Sequence, residues 1–323
     1  MAKAVRVHGV GGPEVMAYED VTVGDPGAGE VRLKQDFVGL NYIDTYHRTG
    51  AYPMPTPFTI GLEAAGIVDA VGDGVDAFKP GDRVAYAAPP IGAYASERLI
   101  PWHRLIKLPD SISTEKAAGM MLQGMTVEYL LRRTYPVKKG DTVLFQAAAG
   151  GVGLIACQWL KQIGATVIGT VGSEEKAEQA KAHGCDHIIY YNKEDVAKKV
   201  REITDGAGVP VVYDGVGKST LDGSLDSLKP RGLFVSFGAA SGPIENFNLG
   251  VLSAKGSLFM TRPTLMTYTA SREDLVESAT ALFDAVGKGL KIEINQRYAL
   301  ADAVQAHKDL EARKTTGSTI FVV

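Results

Sequence analysis

The chain has 323 residues, enough for one large domain or for two smaller ones. Hydrophobic residues make up 45% and charged residues 22%, with a net charge of −3, so the composition is that of a globular protein and does not indicate nucleic acid or an anionic membrane as a partner. Two cysteines are too few for a disulfide framework or a four-cysteine zinc site, and no apolar targeting run begins the chain, so we expect reduced thiols in a cytoplasmic protein.

The first 125 residues predict a β-rich domain. Short runs of alternating polarity predict strands at residues 4–8, 30–38, 65–71 and 83–87. Clusters of glycine and proline separate these runs, as expected for turns between strands.

From about residue 126 the pattern changes to strands that alternate with helices. Strands are predicted at residues 142–146, 166–171, 187–191, 210–214 and 232–238, and helices from residue 151 and over residues 174–183, 194–204 and 219–228. This α/β alternation predicts a parallel, doubly wound sheet with helices on both faces. After about residue 264 the pattern is mixed, with helices at 274–287 and 301–311 and strands at 292–300 and 318–323.

A glycine-rich turn follows the first strand of the parallel sheet. Its pattern is Ala148-x-Gly150-x-x-Gly153, with alanine at the first glycine position and an apolar helix after it. Glycines at this spacing allow a tight turn, close approach of the main chain to a pyrophosphate, and close packing of helix on strand. The N-terminus of the helix favours negative charge. The pattern therefore predicts a dinucleotide-binding turn.

The end of the second strand bears on which dinucleotide would bind. NAD sites place Asp or Glu there to bind the ribose 2′-hydroxyl. Here the strand ends in Val171-Gly172-Ser173, and two glutamates follow only in the predicted helix. A small Ser173 with Lys176 nearby suits a 2′-phosphate, which favours NADPH. The alternative is that Lys176 is a solvated helix charge paired with a glutamate.

A longer motif around this turn resembles a known family. The run Gly140-Asp141-x-x-Leu144-x-x-x-Ala148-Ala149-Gly150-Gly151-x-Gly153-x-x-x-x-Gln158-x-x-Lys161 is similar to the signature of the quinone oxidoreductase (zeta-crystallin-like) family. This family is a zinc-lacking branch of the medium-chain dehydrogenase/reductase superfamily. Further similar stretches lie at residues 38–46 (VGLNYIDTY), 122–126 (LQGMT), 213–217 (YDGVG) and 317–318 (GS).

The resemblance covers essentially the whole chain and implies a domain organisation. A GroES-like, β-rich catalytic domain would be formed by residues 1–125 and 265–323, and a Rossmann NADPH-binding domain by residues 126–264. It also implies a homodimer or a homotetramer.

A comparison with the zinc alcohol dehydrogenases of the same superfamily shows what two residues imply about zinc binding. They carry Cys where this chain has Asn41 and His where it has Leu62. Leu62 cannot bind a metal and Asn41 is a poor zinc ligand, so the residues exclude a zinc-assisted alcohol oxidation. Glu63 remains, and we expect it to be structural and to pair with an arginine.

Without a metal or a flavin motif, the remaining chemistry is reduction of an acceptor that needs little acid catalysis. A quinone qualifies because its reduction gives an aromatic ring, and an enone or enal qualifies because its β-carbon can accept hydride. NADPH:quinone reduction is the leading function, and NADPH-dependent enone or enal reduction is the alternative. A structural or RNA-binding zeta-crystallin-like protein is an alternative of another class, although no basic stripe favours RNA.

Three candidate catalytic residues lie near the N-terminus. Asn41 would offer an amide near the nicotinamide and the acceptor. Tyr46 and Tyr52 would offer phenols that donate to an oxyanion and flat faces for an aromatic acceptor, with ordinary loop packing as the alternative. Asp44 could orient a neighbour, and Arg48 is expected to be a solvated surface charge, with attraction of an acidic substrate as the alternative.

The resemblance also implies a set of cofactor contacts. Ser173, Lys176 and Arg313 would surround the 2′-phosphate, and main-chain N–H groups of the glycine turn would hold the pyrophosphate. The full predicted set is Asn41, Thr126, Tyr129, Gly150, Gly151, Val152, Gly172, Ser173, Lys176, Tyr191, Val216, Phe237, Gly238, Ala239, Ser241 and Arg313.

Overall fold

The computed structural model describes the whole chain, residues 1–323. The chain divides into two compact units. The β-rich unit comprises Met1–Met125, Thr269–Asp284 and Ile292–Val323, and the parallel-sheet unit comprises Thr126–Tyr268 and Ala285–Lys291. Residues 265–268 and 285–291 thus belong to the parallel-sheet unit, whereas the resemblance assigns them to the catalytic domain.

The strands and helices are numbered in chain order. The strands are β1 (Ala2–Val7), β2 (Met16–Val21), β3 (Glu30–Leu40), β4 (Phe58–Thr59), β5 (Glu63–Val71), β6 (Arg83–Ala87), β7 (Glu97–Pro101), β8 (Ile106–Lys107), β9 (Thr142–Phe145), β10 (Thr166–Val171), β11 (His187–Tyr190), β12 (Val209–Asp214), β13 (Leu228–Ser236), β14 (Phe259–Thr261), β15 (Ile294–Ala299) and β16 (Ser318–Val322). The α-helices are α1 (Tyr42–Thr49), α2 (Thr114–Ala118), α3 (Met121–Tyr129), α4 (Gly151–Ile163), α5 (Glu174–Ala182), α6 (Val196–Ile203), α7 (Leu221–Asp226), α8 (Gly250–Ala254), α9 (Leu265–Tyr268), α10 (Arg272–Gly287) and α11 (Ala303–Glu311).

The β-rich unit contains a seven-stranded sheet in the order β15-β16-β3-β5-β6-β8, with β7 also paired to β3, and a three-stranded sheet in the order β2-β1-β4. Along β3, Val31 and Leu33 are fully buried and alternate with more exposed residues, as the two-residue period of a strand requires. The C-terminal strand β16 runs antiparallel to β3, with Thr319 opposite Leu40. Residues far apart in the chain therefore meet next to Asn41.

The parallel-sheet unit contains six strands in the order β11-β10-β9-β12-β13-β14, and all neighbouring strands are parallel. Leu144, Ile168, Val212 and Phe234 are fully buried in its core. Strand β9 lies between β10 and β12, so the chain order reverses there, and such sheets bind ligands at the carboxyl ends of the strands at this point. The doubly wound sheet predicted from the sequence is confirmed.

Two helices show where the sequence pattern is weaker. Helix α7 ends at Asp226 rather than at residue 228, because Leu228 already pairs with Val209 as the first residue of β13. Helix α1 is not predicted, because its eight residues carry no long apolar period. None of the helices has the length and apolar character needed to cross a membrane.

Gly66 in β5 lies against the main chain of β3. A Cβ atom at this position would lie 2.0 Å from the carbonyl oxygen of Lys34, far inside contact distance. We expect Gly66→Ala to lower the free energy of unfolding by about 1–3 kcal/mol, because the two strands would have to separate. Urea unfolding measures this loss. Gly24→Ala is the control, since its Cβ would meet nothing within 4 Å, and an equal loss there would contradict the packing argument.

Candidate functional site

Helix α1 carries the predicted catalytic residues of the β-rich unit. Asn41 is its N-cap residue, and the Asp44 carboxylate accepts the Asn41 main-chain N–H at 2.9 Å. The helix ends at Gly50, whose φ of 82° lies in the left-handed region that favours glycine. This capping, rather than apolar periodicity, defines the helix and fixes Asn41 at its start.

The predicted tyrosines lie together beside α1. The ring centroids of Tyr46 and Tyr52 are 5.3 Å apart in an edge-to-face arrangement, and those of Tyr42 and Tyr46 are 5.7 Å apart. Tyr52 is 39% exposed and also contacts the ring of His47. The cluster can offer both phenol hydroxyls and aromatic faces to a flat ligand.

Asn41 is held in one orientation by side chains from two other elements, β5 and α3, and a side chain of β16 supports one of them. Its Nδ2 donates to Oε2 of Glu63 at 2.6 Å, and Nε2 of Gln123 donates to its Oδ1 at 3.4 Å. Oε1 of Gln123 in turn accepts the Ser318 hydroxyl at 3.0 Å. The second N–H of the Asn41 amide can still donate to a ligand. Gln123 and Ser318 are not among the functional residues predicted from the sequence.

Glu63 does not pair with an arginine, and that prediction is wrong. Its carboxylate is buried at the start of β5 and accepts the Leu122 N–H at 2.8 Å in addition to the Asn41 amide. Gly39 makes room for it, because a Cβ at residue 39 would lie within 2.3 Å of Oε2. Burial raises the pKa of Glu63 to about 8 in spite of these donors.

Asp44 is fully buried as well. Its Oδ2 accepts the Tyr94 hydroxyl at 3.0 Å and the Asn41 N–H, whereas Oδ1 has no hydrogen-bond partner. Burial raises the pKa of Asp44 to about 7, and the charge of Asp44 contributes to the raised pKa of Glu63. Two coupled carboxyl groups therefore flank Asn41.

Arg48 is not a solvated surface charge, and that expectation is wrong. Its side chain is 1% exposed, and its guanidinium group donates to Oε1 of Glu311 at 2.8 Å. Arg48 lies four residues after Asp44 on α1, so both occupy the helix face that points into the protein.

In the parallel-sheet unit, the glycine turn has the form that a pyrophosphate site requires. Gly150 is the N-cap of α4 and supplies no side-chain cap, so the first N–H groups of the helix are available to an anion. A Cβ at Gly153 would lie 2.5 Å from the Ala147 carbonyl oxygen, so the helix packs closely on the turn. A Cβ at Gly169 would lie 2.6 Å from the Ala148 methyl group, which explains how alanine fits at the first glycine position.

A buried polar network lies at the carboxyl ends of three strands in the same unit. Gln146 accepts the Thr170 hydroxyl at 2.6 Å and donates to Ser224 at 3.0 Å, and Ser224 donates to Asp214 at 2.7 Å. Asp214 also accepts the N–H groups of Val216 and of the following glycine at 2.8 and 2.9 Å. The network fixes the turns after β9, β10 and β12, and no local sequence pattern predicts it.

Two of the residues predicted for the 2′-phosphate, Ser173 and Lys176, lie just after β10, at the start of α5. The Ser173 hydroxyl accepts the Lys176 N–H at 3.3 Å as the N-cap of α5, and its own proton remains able to donate. The Tyr191 hydroxyl lies over Gly172, where a Cβ would be 2.5 Å from it. Arg313 belongs to the β-rich unit, is exposed and has a φ of 58°.

The other predicted contacts of this unit lie in the loops that follow β12 and β13 and on helix α3. The Ser241 hydroxyl donates to the Val216 carbonyl at 2.8 Å, and a Cβ at Gly238 would lie 2.4 Å from the Gly215 carbonyl oxygen. Phe237 packs over Gly215, and Ala239 is half-buried in the same loop. On α3, Thr126 is buried, and Tyr129 is 2% exposed with its ring stacked on Tyr268 at 4.5 Å. Tyr129 therefore offers little surface to a cofactor within this unit.

Two family models match the chain. The alcohol dehydrogenase GroES-like domain matches residues 27–110, and the zinc-binding dehydrogenase domain matches residues 151–285. Together with the two units of the fold, these matches define a protein of the medium-chain dehydrogenase/reductase class.

The relatives define the family within that class. A quinone oxidoreductase of Pseudomonas aeruginosa is 53% identical and covers all of both chains, and a 2-haloacrylate reductase of a Burkholderia species is 46% identical over all of this chain and 99% of its own. The structure of Escherichia coli quinone oxidoreductase complexed with NADPH has a TM-score of 0.98 and 47% identity, and covers 99% of this chain and 100% of that one. The chain belongs to the quinone oxidoreductase family.

The buried carboxyl groups predict how stability depends on pH. Their folded-state pKa values, about 7 for Asp44 and about 8 for Glu63, are raised above the ordinary values. Their contribution to the free energy of unfolding is therefore fully present below about pH 4 and is lost as the pH rises through 7 and 8. We expect Glu63→Gln to reduce the loss between pH 5 and pH 9 by on the order of 4 kcal/mol, as measured by urea unfolding.

The exposed carboxylate Glu14 provides the matched control. Glu14→Gln should leave the pH dependence of the free energy of unfolding as it is in the wild type. If Glu63→Gln behaves in the same way as Glu14→Gln, Glu63 does not titrate as argued.

Proposed function

We propose that the chain is an NADPH-dependent quinone reductase that works without zinc or flavin. The observation that carries this proposal is the full-length similarity to quinone oxidoreductases, at 53% identity to the Pseudomonas aeruginosa protein. The NADPH complex of the Escherichia coli protein and the residues at the end of β10 support the choice of cofactor. A cytoplasmic location and a homodimer or homotetramer remain part of the proposal.

The cofactor-binding residues would act mainly through the main chain. The N–H groups of Gly151 and Val152 at the start of α4 would hold the pyrophosphate, where the helix dipole adds to their attraction. Ser173 would donate its hydroxyl proton to the 2′-phosphate, and Lys176 and Arg313 would supply positive charge. Tyr191 would lie against the adenine.

On the acceptor side, bound NADPH would supply a hydride equivalent from its dihydronicotinamide ring. The remaining N–H of Asn41, held by Glu63 and Gln123, would orient the reacting groups. The hydroxyl groups of Tyr46 and Tyr52 would donate to the acceptor oxygen as negative charge develops on it, and their rings would exclude water from an aromatic acceptor. None of these contributions requires a metal cation.

Reduction of a conjugated alkene is the second candidate function. The 46% identical relative named 2-haloacrylate reductase covers the whole chain and favours this candidate. The same hydroxyl donors would then stabilise the oxygen of an enone, enal or acrylate while hydride adds to the β-carbon.

Initial rates of NADPH and NADH oxidation with a panel of acceptors test the proposal. The panel contains 1,4-benzoquinone, a phenanthrenequinone, an enone and a short enal. We expect rapid oxidation of NADPH with the quinones, because their reduction needs the least acid assistance. Turnover confined to the enone or enal would support the second candidate, and no turnover with any acceptor would contradict both.

The proposed 2′-phosphate site predicts a difference between the two cofactors. We expect the double variant Lys176→Ala and Arg313→Ala to weaken NADPH binding at least tenfold while NADH binding changes little, because only NADPH carries the 2′-phosphate. Titration calorimetry with each cofactor measures this. Lys198→Ala removes an exposed lysine of the parallel-sheet unit and is the control. An equal loss for both cofactors in the double variant would rule out the assignment.

A further inference from the structure

A chain of hydrogen bonds connects Asp44 to the buried Arg48. The NH1 group of Arg48 lies 2.9 Å from Nδ1 of His307, and Nε2 of His307 lies 3.1 Å from the Tyr94 hydroxyl. The Tyr94 hydroxyl lies 3.0 Å from Oδ2 of Asp44. Arg48, Tyr94 and His307 are all buried and come from α1, from the loop before β7 and from α11.

The chemistry of arginine fixes the direction of every hydrogen bond in this relay. A guanidinium group can only donate, so Nδ1 of His307 accepts and the ring proton lies on Nε2. Nε2 then donates to the Tyr94 oxygen, and the Tyr94 hydroxyl proton donates to Asp44. Burial and the neighbouring Arg48 lower the pKa of His307 to about 3, which agrees with a neutral ring. All donors therefore point from Arg48 towards Asp44.

This direction favours a negative charge on Asp44. The carboxylate also accepts the Asn41 N–H in the first turn of α1, where the helix dipole favours an anion. Glu63 on β5 also bonds to Asn41, and a charge there would repel the charge of Asp44. Its donors are the Asn41 amide and the N–H groups of Met121 and Leu122, and none of them leads to a buried cation as the Tyr94 hydroxyl does.

Two carboxyl groups that share a buried pocket ionise one after the other, and their surroundings decide which ionises first. We propose that Arg48, His307 and Tyr94 are positioning residues that assign the negative charge of this pair to Asp44 and leave the proton on Glu63. Glu63 then supports the Asn41 amide as a neutral group at neutral pH. The consequence for turnover rests on the proposed function, in which Asn41 orients the reacting groups. The charge assignment is independent of the proposed function.

Infrared difference spectroscopy on the protein without cofactor tests the charge assignment. A protonated carboxyl group has a C=O stretching band that disappears on ionisation, and Asp44→Asn and Glu63→Gln assign the two bands. We expect Asp44 to ionise at the lower pH in the wild type. Tyr94→Phe should raise the Asp44 midpoint by about one pH unit, the tenfold change expected when one hydrogen bond to a charged group is lost.

Matched variants separate this role from a general loss of packing. His307→Leu should raise the Asp44 midpoint, and His307→Gln should restore part of the wild-type value, because an amide also combines a hydrogen-bond acceptor with a donor group. Tyr213→Phe removes an equally buried hydroxyl, which donates to the Leu130 carbonyl in the parallel-sheet unit, and should not move the midpoint. Equal midpoints in Tyr94→Phe and Tyr213→Phe would overturn the proposal, as would a wild type in which Glu63 ionises first.

The pH profile of kcat/KM with NADPH and a quinone is the second measurement. We expect the apparent pKa of its acid limb to rise in Tyr94→Phe by the same number of pH units as the Asp44 midpoint. An unchanged profile with a shifted midpoint would overturn the positioning role. If the wild type oxidises NADPH with no acceptor at any pH, the proposed function fails, and the infrared titration still decides the charge assignment.

Discussion

The exclusion of water from Asp44 and Glu63 is the constraint that organises the β-rich unit. A buried carboxyl group must find its hydrogen-bond donors inside the protein, and here the donors come from Asn41, Tyr94 and the main chain at Leu122. Those donors belong to separate elements, so satisfying two carboxyl groups aligns α1, α3 and β5 around one amide. The position of Asn41 is therefore set by directional polar contacts, which tolerate less displacement than apolar packing does.

The parallel-sheet unit meets a similar requirement with a closed network of side chains. Gln146, Thr170, Ser224 and Asp214 satisfy one another at the carboxyl ends of the strands. Because these groups are paired internally, the N–H groups at the start of α4 are not needed to satisfy a buried side chain. The helix terminus can then offer its whole set of donors to an anionic ligand.

Features that depend on local spacing could be predicted from the sequence, whereas features that depend on distant partners could not. The parallel sheet and the glycine turn follow from strand and helix periods and from glycines three residues apart. In sequence Arg48 looks like a surface charge and Glu63 like the partner of an arginine, yet each is buried by partners that no local pattern reveals. The residue that accepts from NH1 of Arg48, His307, is 259 positions away. A short capped helix such as α1 escapes prediction for a related reason, since one N-cap carries little signal.

The residues at the positions of the zinc ligands have an electrostatic consequence for Glu63. A divalent cation stabilises neighbouring carboxylates as anions, and by resemblance the zinc alcohol dehydrogenases carry Cys and His where this chain has Asn41 and Leu62. In this chain an amide donor faces Oε2 of Glu63 at 2.6 Å, and a dipole stabilises an anion far less than a dication does. A proton on Glu63 takes over part of that role, which agrees with its raised pKa.

An acceptor reduced at such a site has to be one that neutral donors can assist. Quinones and conjugated carbonyl compounds meet this condition, because their electron-poor carbon accepts hydride while a hydroxyl or amide N–H steadies the oxygen. Removal of hydride from an alcohol does not meet this condition, because the alcohol has to be ionised first. A metal cation makes that ionisation accessible at neutral pH. The identities of residues 41 and 62 and the class of acceptor are thus two consequences of the same local electrostatics.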